Sequence, residues 1–96
     1  MDILFEVTSE GAAAVLLPLT SACDRAGVSW GCFFTGDGVL SLANKDVVGM
    51  VKTADSAITC EVSWQLYMGG RECPVELGSQ TNNSTFVGEA DKVISL

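Results

Sequence analysis

Histidine is absent from this 96-residue chain, which removes the commonest general base of a protein active site. Basic side chains are scarce as well. Five lysines and arginines stand against twelve acidic residues, a formal charge of -7. No basic patch is there to neutralise a phosphate backbone, and the net field repels nucleic acid and anionic membranes alike. The four cysteines include no CxxC pair, which together with the missing histidine argues against a zinc site. No metal and no organic cofactor is expected. The longest apolar run, "AAAVLLPL" from Ala12 to Leu19, is too short to cross a bilayer and contains Pro18. The acidic start "MDILFE" is unlike a signal peptide, so the expected location is cytoplasmic. Disulfides are disfavoured there, and Cys23, Cys32, Cys60 and Cys73 are expected to be free thiols.

What is present is apolar content, 48% of the chain, enough for the core of one domain over residues 1–96. The acids are scattered, as on a solvated exterior. "DILFEVTS" has the make-up of a buried strand. In the following "EGAAAVLLPLTSACDRAG", Val15, Leu19, Ala22 and Ala26 recur at helical spacing. Pro18 is expected to kink that helix or displace its start, and Gly27 to end it. "VSWGCFF" reads as a second strand stopped by "TGDG", and "LSLANKDVVGMVKTA" as a short helix. A third strand runs from Ser56 to Cys60, and "VSWQLYM" supplies about two helical turns before Gly69 and Gly70. "CPVEL" and "DKVISL" are the fourth and fifth strands. Between them "GSQTNNSTFVGEA" favours turns, with one helical turn around Phe86. Strands alternating with helical segments predict a three-layer α/β/α domain with a mainly parallel five-stranded sheet.

Such sheets place ligands and reactive groups beyond the carboxyl ends of their strands. Three places fall there: Thr8-Ser9-Glu10, Thr35-Gly36-Asp37-Gly38, and Cys60. A thiol at a helix N-terminus is favoured as the thiolate, since backbone N–H groups face it. A cysteine in an apolar run also serves as plain core filler, and both readings of Cys60 stand. Cys73 is a candidate second, resolving thiol or simply a packed one; Cys23 and Cys32 read as core. "TGDG" is either an anion-holding loop or a tight turn, with Asp37 free to orient a partner or cap the next helix. Trp64 and Tyr67 cover the sheet or an interface.

The stretches "CFFTGDGV" (Cys32 to Val39), "CEVSWQLYMGG" and "CPVELGSQT" (Cys60 to Thr81), and the terminal "ADKVISL" occur in an order that resembles the DsrE-like sulfur-relay family. The resemblance implies a compact α/β domain that assembles into homo- or hetero-oligomers. It also implies a sulfurtransferase or sulfur-carrier protein in which Cys60 bears a persulfide, passed between sulfur donor and acceptor proteins. The loops containing Asp37 and Gly38 and containing Ser79 and Gln80 would surround that cysteine. Glu61, directly after Cys60, departs from the small or apolar neighbour of the family pattern. Two other functions are compatible with the same residues. One is a noncatalytic oligomeric assembly module with Cys60 retained for packing, the other a thiol redox sensor using Cys60 and Cys73.

Overall fold

Five short segments pair edge to edge in the computed structural model, which describes residues 1–96. They are β1 (Ile3–Val7), β2 (Trp30–Phe34), β3 (Ser56–Cys60), β4 (Glu76–Gly78) and β5 (Lys92–Ser95), in the order β4-β3-β2-β1-β5. Every pairing is parallel. Parallel neighbours need crossovers, and the chain supplies α1 (Ala13–Ala26), α2 (Lys45–Val51), α3 (Glu61–Met68) and α4 (Gln80–Glu89). The expected three-layer α/β/α domain with a parallel five-stranded sheet is the fold observed.

The faces of the sheet follow from connection order. From β1 to β4 the chain steps one way across the sheet, so right-handed crossovers put α1, α2 and α3 on one face. From β4 it returns over β3, β2 and β1 to reach β5, which puts α4 on the other. Strand alternation agrees. Phe5, Val7, Trp30, Cys32 and Phe34 pack with Leu16 and Cys23 of α1, Val47 and Val51 of α2, and Trp64 of α3. Leu4, Phe33, Ile58 and Cys60 point the opposite way and meet Phe86 of α4.

Several local expectations are corrected. In α1 the stripe Val15, Leu19, Ala22 and Ala26 faces solvent, while Leu16, Thr20 and Cys23 are buried. The run around Leu16 and Leu17 is apolar on every side, so spacing alone does not set the phase. Thr20 occupies a core position because its hydroxyl donates to the Leu16 carbonyl at 2.9 Å. Pro18 lies inside α1 and does not displace its start at Ala13. Its missing N–H leaves the Ala14 carbonyl without its usual partner, and both residues are exposed to water.

The single helix expected over "LSLANKDVVGMVKTA" is instead a 3-10 segment, Gly36–Ala43, followed by α2. Asn44 divides them with extended backbone and caps α2, its Oδ1 accepting from Asp46 N–H at 2.8 Å. "TGDG" therefore opens that 3-10 segment. "GSQTNNSTFVGEA", expected to be turns with one helical turn around Phe86, instead contains the ten-residue α4. Its one buried residue is Phe86, so no apolar period marks it. A capping box between Ser79 and Asn82 starts it.

Candidate functional site

Cys60 is the last residue of β3 and the N-cap of α3. It pairs in register with Gly78, the last residue of β4, whose chain enters α4 at Gln80. Adjacent strands thus end level, one leading to a helix on one face and the other to a helix on the opposite face. That is the topological switch point of the sheet, where an open parallel α/β fold forms its crevice. A side chain at Gly78 would not fit, since a Cβ there would lie 2.6 Å from Asn82 Oδ1 and 2.7 Å from Ile58 Cγ2. The missing side chain lets the start of α4 close down beside Cys60.

Burial pushes the Cys60 thiol up, yet its net shift is below the ordinary thiol value. What outweighs burial is the set of polar groups around the sulfur: the N–H and the hydroxyl of Ser63, the N–H of Val62, and the side-chain amide of Gln80. The Cys60 side chain makes no capping hydrogen bond to the first turn of α3. A thiol is a weak acceptor and a thiolate a strong one, so these donors favour the anion. The two other buried cysteines behave in the opposite sense. Desolvation pushes Cys32 up, and desolvation with the nearby Asp24 charge does the same to Cys23.

The donors are themselves held. Ser63 Oγ accepts from the Gly36 N–H at 2.9 Å and lies 3.5 Å from Thr35 Oγ1. Gln80 Nε2 donates to Thr35 Oγ1 at 3.2 Å, and Asn83 Nδ2 donates to Gln80 Oε1 at 3.4 Å. Behind Asn83 stands Glu6 of β1, whose carboxyl is pushed up by burial and partly offset by its hydrogen bond with Asn83. The assembled group is Cys60, Ser63, Thr35, Gln80, Asn83 and Glu6.

Of the residues expected around the cysteine, Gln80 joins its surroundings, donating to Thr35 and helping to lower the thiol. Glu61 is adjacent in sequence but exposed, and Asp37 is exposed beyond the Gly36 contact. Gly38 serves packing, since a Cβ there would collide with the Val7 carbonyl. Ser79 spends its side chain on the α4 cap, accepting from Thr81 N–H at 3.2 Å. Cys73 packs against the cluster on the α1–α3 face, whereas Cys60 belongs to the α4 face. All four thiols are free. Trp64 is core, its indole N–H donating to the Arg71 carbonyl at 2.7 Å, and Tyr67 is exposed. Thr35 lies in one of the three strand-end places read from sequence, whereas Ser63, Asn83 and Glu6 were not singled out. Ser63 alone had a signal available, being three residues after Cys60 in the first turn of the helix that the cysteine caps.

Fold and site together define a parallel α/β domain with a thiolate-favouring cysteine at its switch point. Compared with known proteins, the chain matches no family model, and no curated protein or solved structure shows significant similarity to it. No helix is long and apolar enough to cross a membrane.

Proposed function

We propose that this protein is a cysteine-based sulfur carrier, with Cys60 holding a persulfide in transit between a donor and an acceptor protein. The reading follows the DsrE-like resemblance of the motif order. The observation that carries it is the placement of Cys60 at the end of β3 as the N-cap of α3, where Ser63, Val62 and Gln80 favour its anion despite burial. In the first step the Cys60 thiolate attacks the outer sulfur of a donor persulfide. The new S–S bond forms as the donor's own S–S bond breaks, and the donor leaves as a thiolate. In the second step an acceptor thiolate attacks the outer sulfur on Cys60, and Cys60 departs as the thiolate. The sulfur moves without net oxidation, so no external oxidant is consumed. Both steps use Cys60 as an anion, once as nucleophile and once as leaving group, which is the state these donors favour. Cytoplasmic location fits this chemistry, which depends on free thiols.

Val62 and Leu66, exposed on α3 beside the cysteine, suit a protein partner or a further subunit, and so support the assembly reading alongside the relay. A redox sensor pairing Cys60 with Cys73 is less well supported, since the two pack in clusters on opposite faces. The test is intact and site-resolved mass spectrometry after anaerobic treatment with a persulfide donor, using wild type, Cys60→Ser and Cys73→Ser. The expected result is one added sulfur on Cys60, lost in Cys60→Ser and retained in Cys73→Ser. A folded wild-type protein that never gains sulfur on Cys60, beside a control carrier that does, overturns the proposal.

A further inference from the structure

The α4 face of the sheet carries a polar arm that packing does not explain. Leu4, Phe33, Ile58 and Phe86 make that face apolar, yet Glu6 projects into it from β1 and meets Asn83 from α4. Glu6 Oε2 and Asn83 Oδ1 are both buried with no hydrogen-bond partner. Buried acceptors left unpaired cost stability, and an apolar pair of similar size would relieve that cost. The arm leads to the cysteine: Asn83 Nδ2 donates to Gln80 Oε1, which leaves Gln80 Nε2 to donate to Thr35 Oγ1, itself 3.5 Å from Ser63 Oγ in the first turn of the helix that Cys60 caps, and Gln80 is among the groups that lower the thiol. A carboxamide can turn end for end. Were Gln80 reversed, an acceptor oxygen would face the sulfur and oppose the thiolate.

We propose that Asn83, backed by Glu6, is a positioning residue that fixes the Gln80 carboxamide with its N–H toward Cys60. Its action runs through Gln80, and neither Asn83 nor Glu6 touches the sulfur. The inference rests on reading Cys60 as the reactive thiol, but it concerns the thiolate and not the sulfur that the thiolate carries.

The experiment measures the rate of Cys60 alkylation by iodoacetamide against pH, read at that cysteine by mass spectrometry. Gln80→Leu is expected to slow alkylation at neutral pH by about tenfold, the worth of one hydrogen bond to an anion. Asn83→Ala is expected to slow it about threefold, as the amide gains freedom to turn. In the Gln80→Leu background, Asn83→Ala is expected to add nothing, because its route to the sulfur is gone. Asn83→Asp keeps the side-chain shape but offers Gln80 only acceptors, and is expected to slow the reaction at least as much as Asn83→Ala. It also covers the case in which Asn83→Ala loosens α4, and circular dichroism establishes which variants keep their helices. An undiminished Asn83 effect in the Gln80→Leu background overturns the proposal, as does a wild-type rate in Gln80→Leu. Alkylation reports the thiolate whether or not sulfur is ever transferred. Failure of the relay therefore shows in the persulfide experiment alone, and failure of the positioning role in this one.

Discussion

The two faces of the sheet are built to different standards. Three helices and thirteen buried residues close the α1–α3 face, including Trp30, Phe34 and an edge-to-face contact of Phe5 with Trp30 at 6.2 Å. One helix covers the other, where five buried residues share the space with Glu6, Asn83 and Gln80. Cys32 and Cys60 state the contrast in one residue type. On the thick face a thiol fully enclosed by hydrocarbon is held neutral; on the thin face a thiol near polar donors is favoured as the anion. Apolar burial is concentrated on one side of the sheet, while Cys60 belongs to the other and draws its polar neighbours from both α3 and α4.

The sharpest way to break that comparison is to cut a large side chain from each face. Phe34 is fully buried, and Phe34→Ala is expected to cost about 3–5 kcal/mol in urea unfolding, near the whole stability of a small domain. Phe86 is 8% exposed beneath a single helix whose other side chains are mostly polar. Phe86→Ala should cost about 1–3 kcal/mol, because α4 can settle into the space or fray locally. Equal losses from the two substitutions would mean that the faces contribute alike.

How much of this was legible depended on whether the signal was local. Apolar strand runs alternating with helical segments, and the glycine signals between them, gave the fold class and the place of Cys60 at a strand end. The phase of α1 was not legible, because Leu16 and Leu19 are equally apolar and only the sheet decides between them. The α4 helix was hidden because a helix resting on Phe86 alone carries no period, although the spacing of Ser79 and Asn82 marked its start. The polar arm joins Glu6 to residues more than seventy positions away, and register between β1 and α4 is a product of topology. Cysteine position could be read from the chain; cysteine environment could not.

A smaller effect sharpens the contrast between the thiols. Ser63→Ala removes a hydroxyl that helps to lower Cys60 while leaving the Ser63 backbone N–H in place. It is expected to raise the Cys60 midpoint by about one pH unit, equivalent to about 1.4 kcal/mol, in a pH profile of alkylation. An unchanged midpoint would assign the lowered value to the backbone and Gln80 alone.

Stability against pH separates the same two cysteines by sign. Cys60 has a folded-state value below the ordinary 9.0, so its contribution is fully present above 9.0 and is lost as pH falls through the lower folded value. Cys32 is raised, so its contribution is present below 9.0 and is lost as pH climbs past that value. Urea titrations across the alkaline range should therefore show Cys60→Ser flattening the early rise. Cys32→Ala should instead remove part of the later fall, on top of a lower stability throughout. If Cys60→Ser leaves the curve's shape unchanged, the thiolate-favouring site is not present in solution.

The smallest expected effect lies on the surface beside the site. Val62 and Leu66 are 72% and 75% exposed on α3, so the chain's own fold draws little from them. Val62→Ser with Leu66→Ser should change urea stability by no more than about 0.5 kcal/mol for each residue, the ordinary range for surface positions. The Cys60 alkylation profile should also stay at wild type, because neither side chain is among the groups that shift the thiol. Their apolar surface lies within one to two turns of the cysteine, where an approaching protein would meet it first. Under the relay proposal the double variant should accept sulfur from a small persulfide at the wild-type rate and pass it to a protein acceptor more slowly. Loss of stability on substitution would show instead that these residues are already covered by a second copy of the chain, and sedimentation of wild type and variant would then differ in mass.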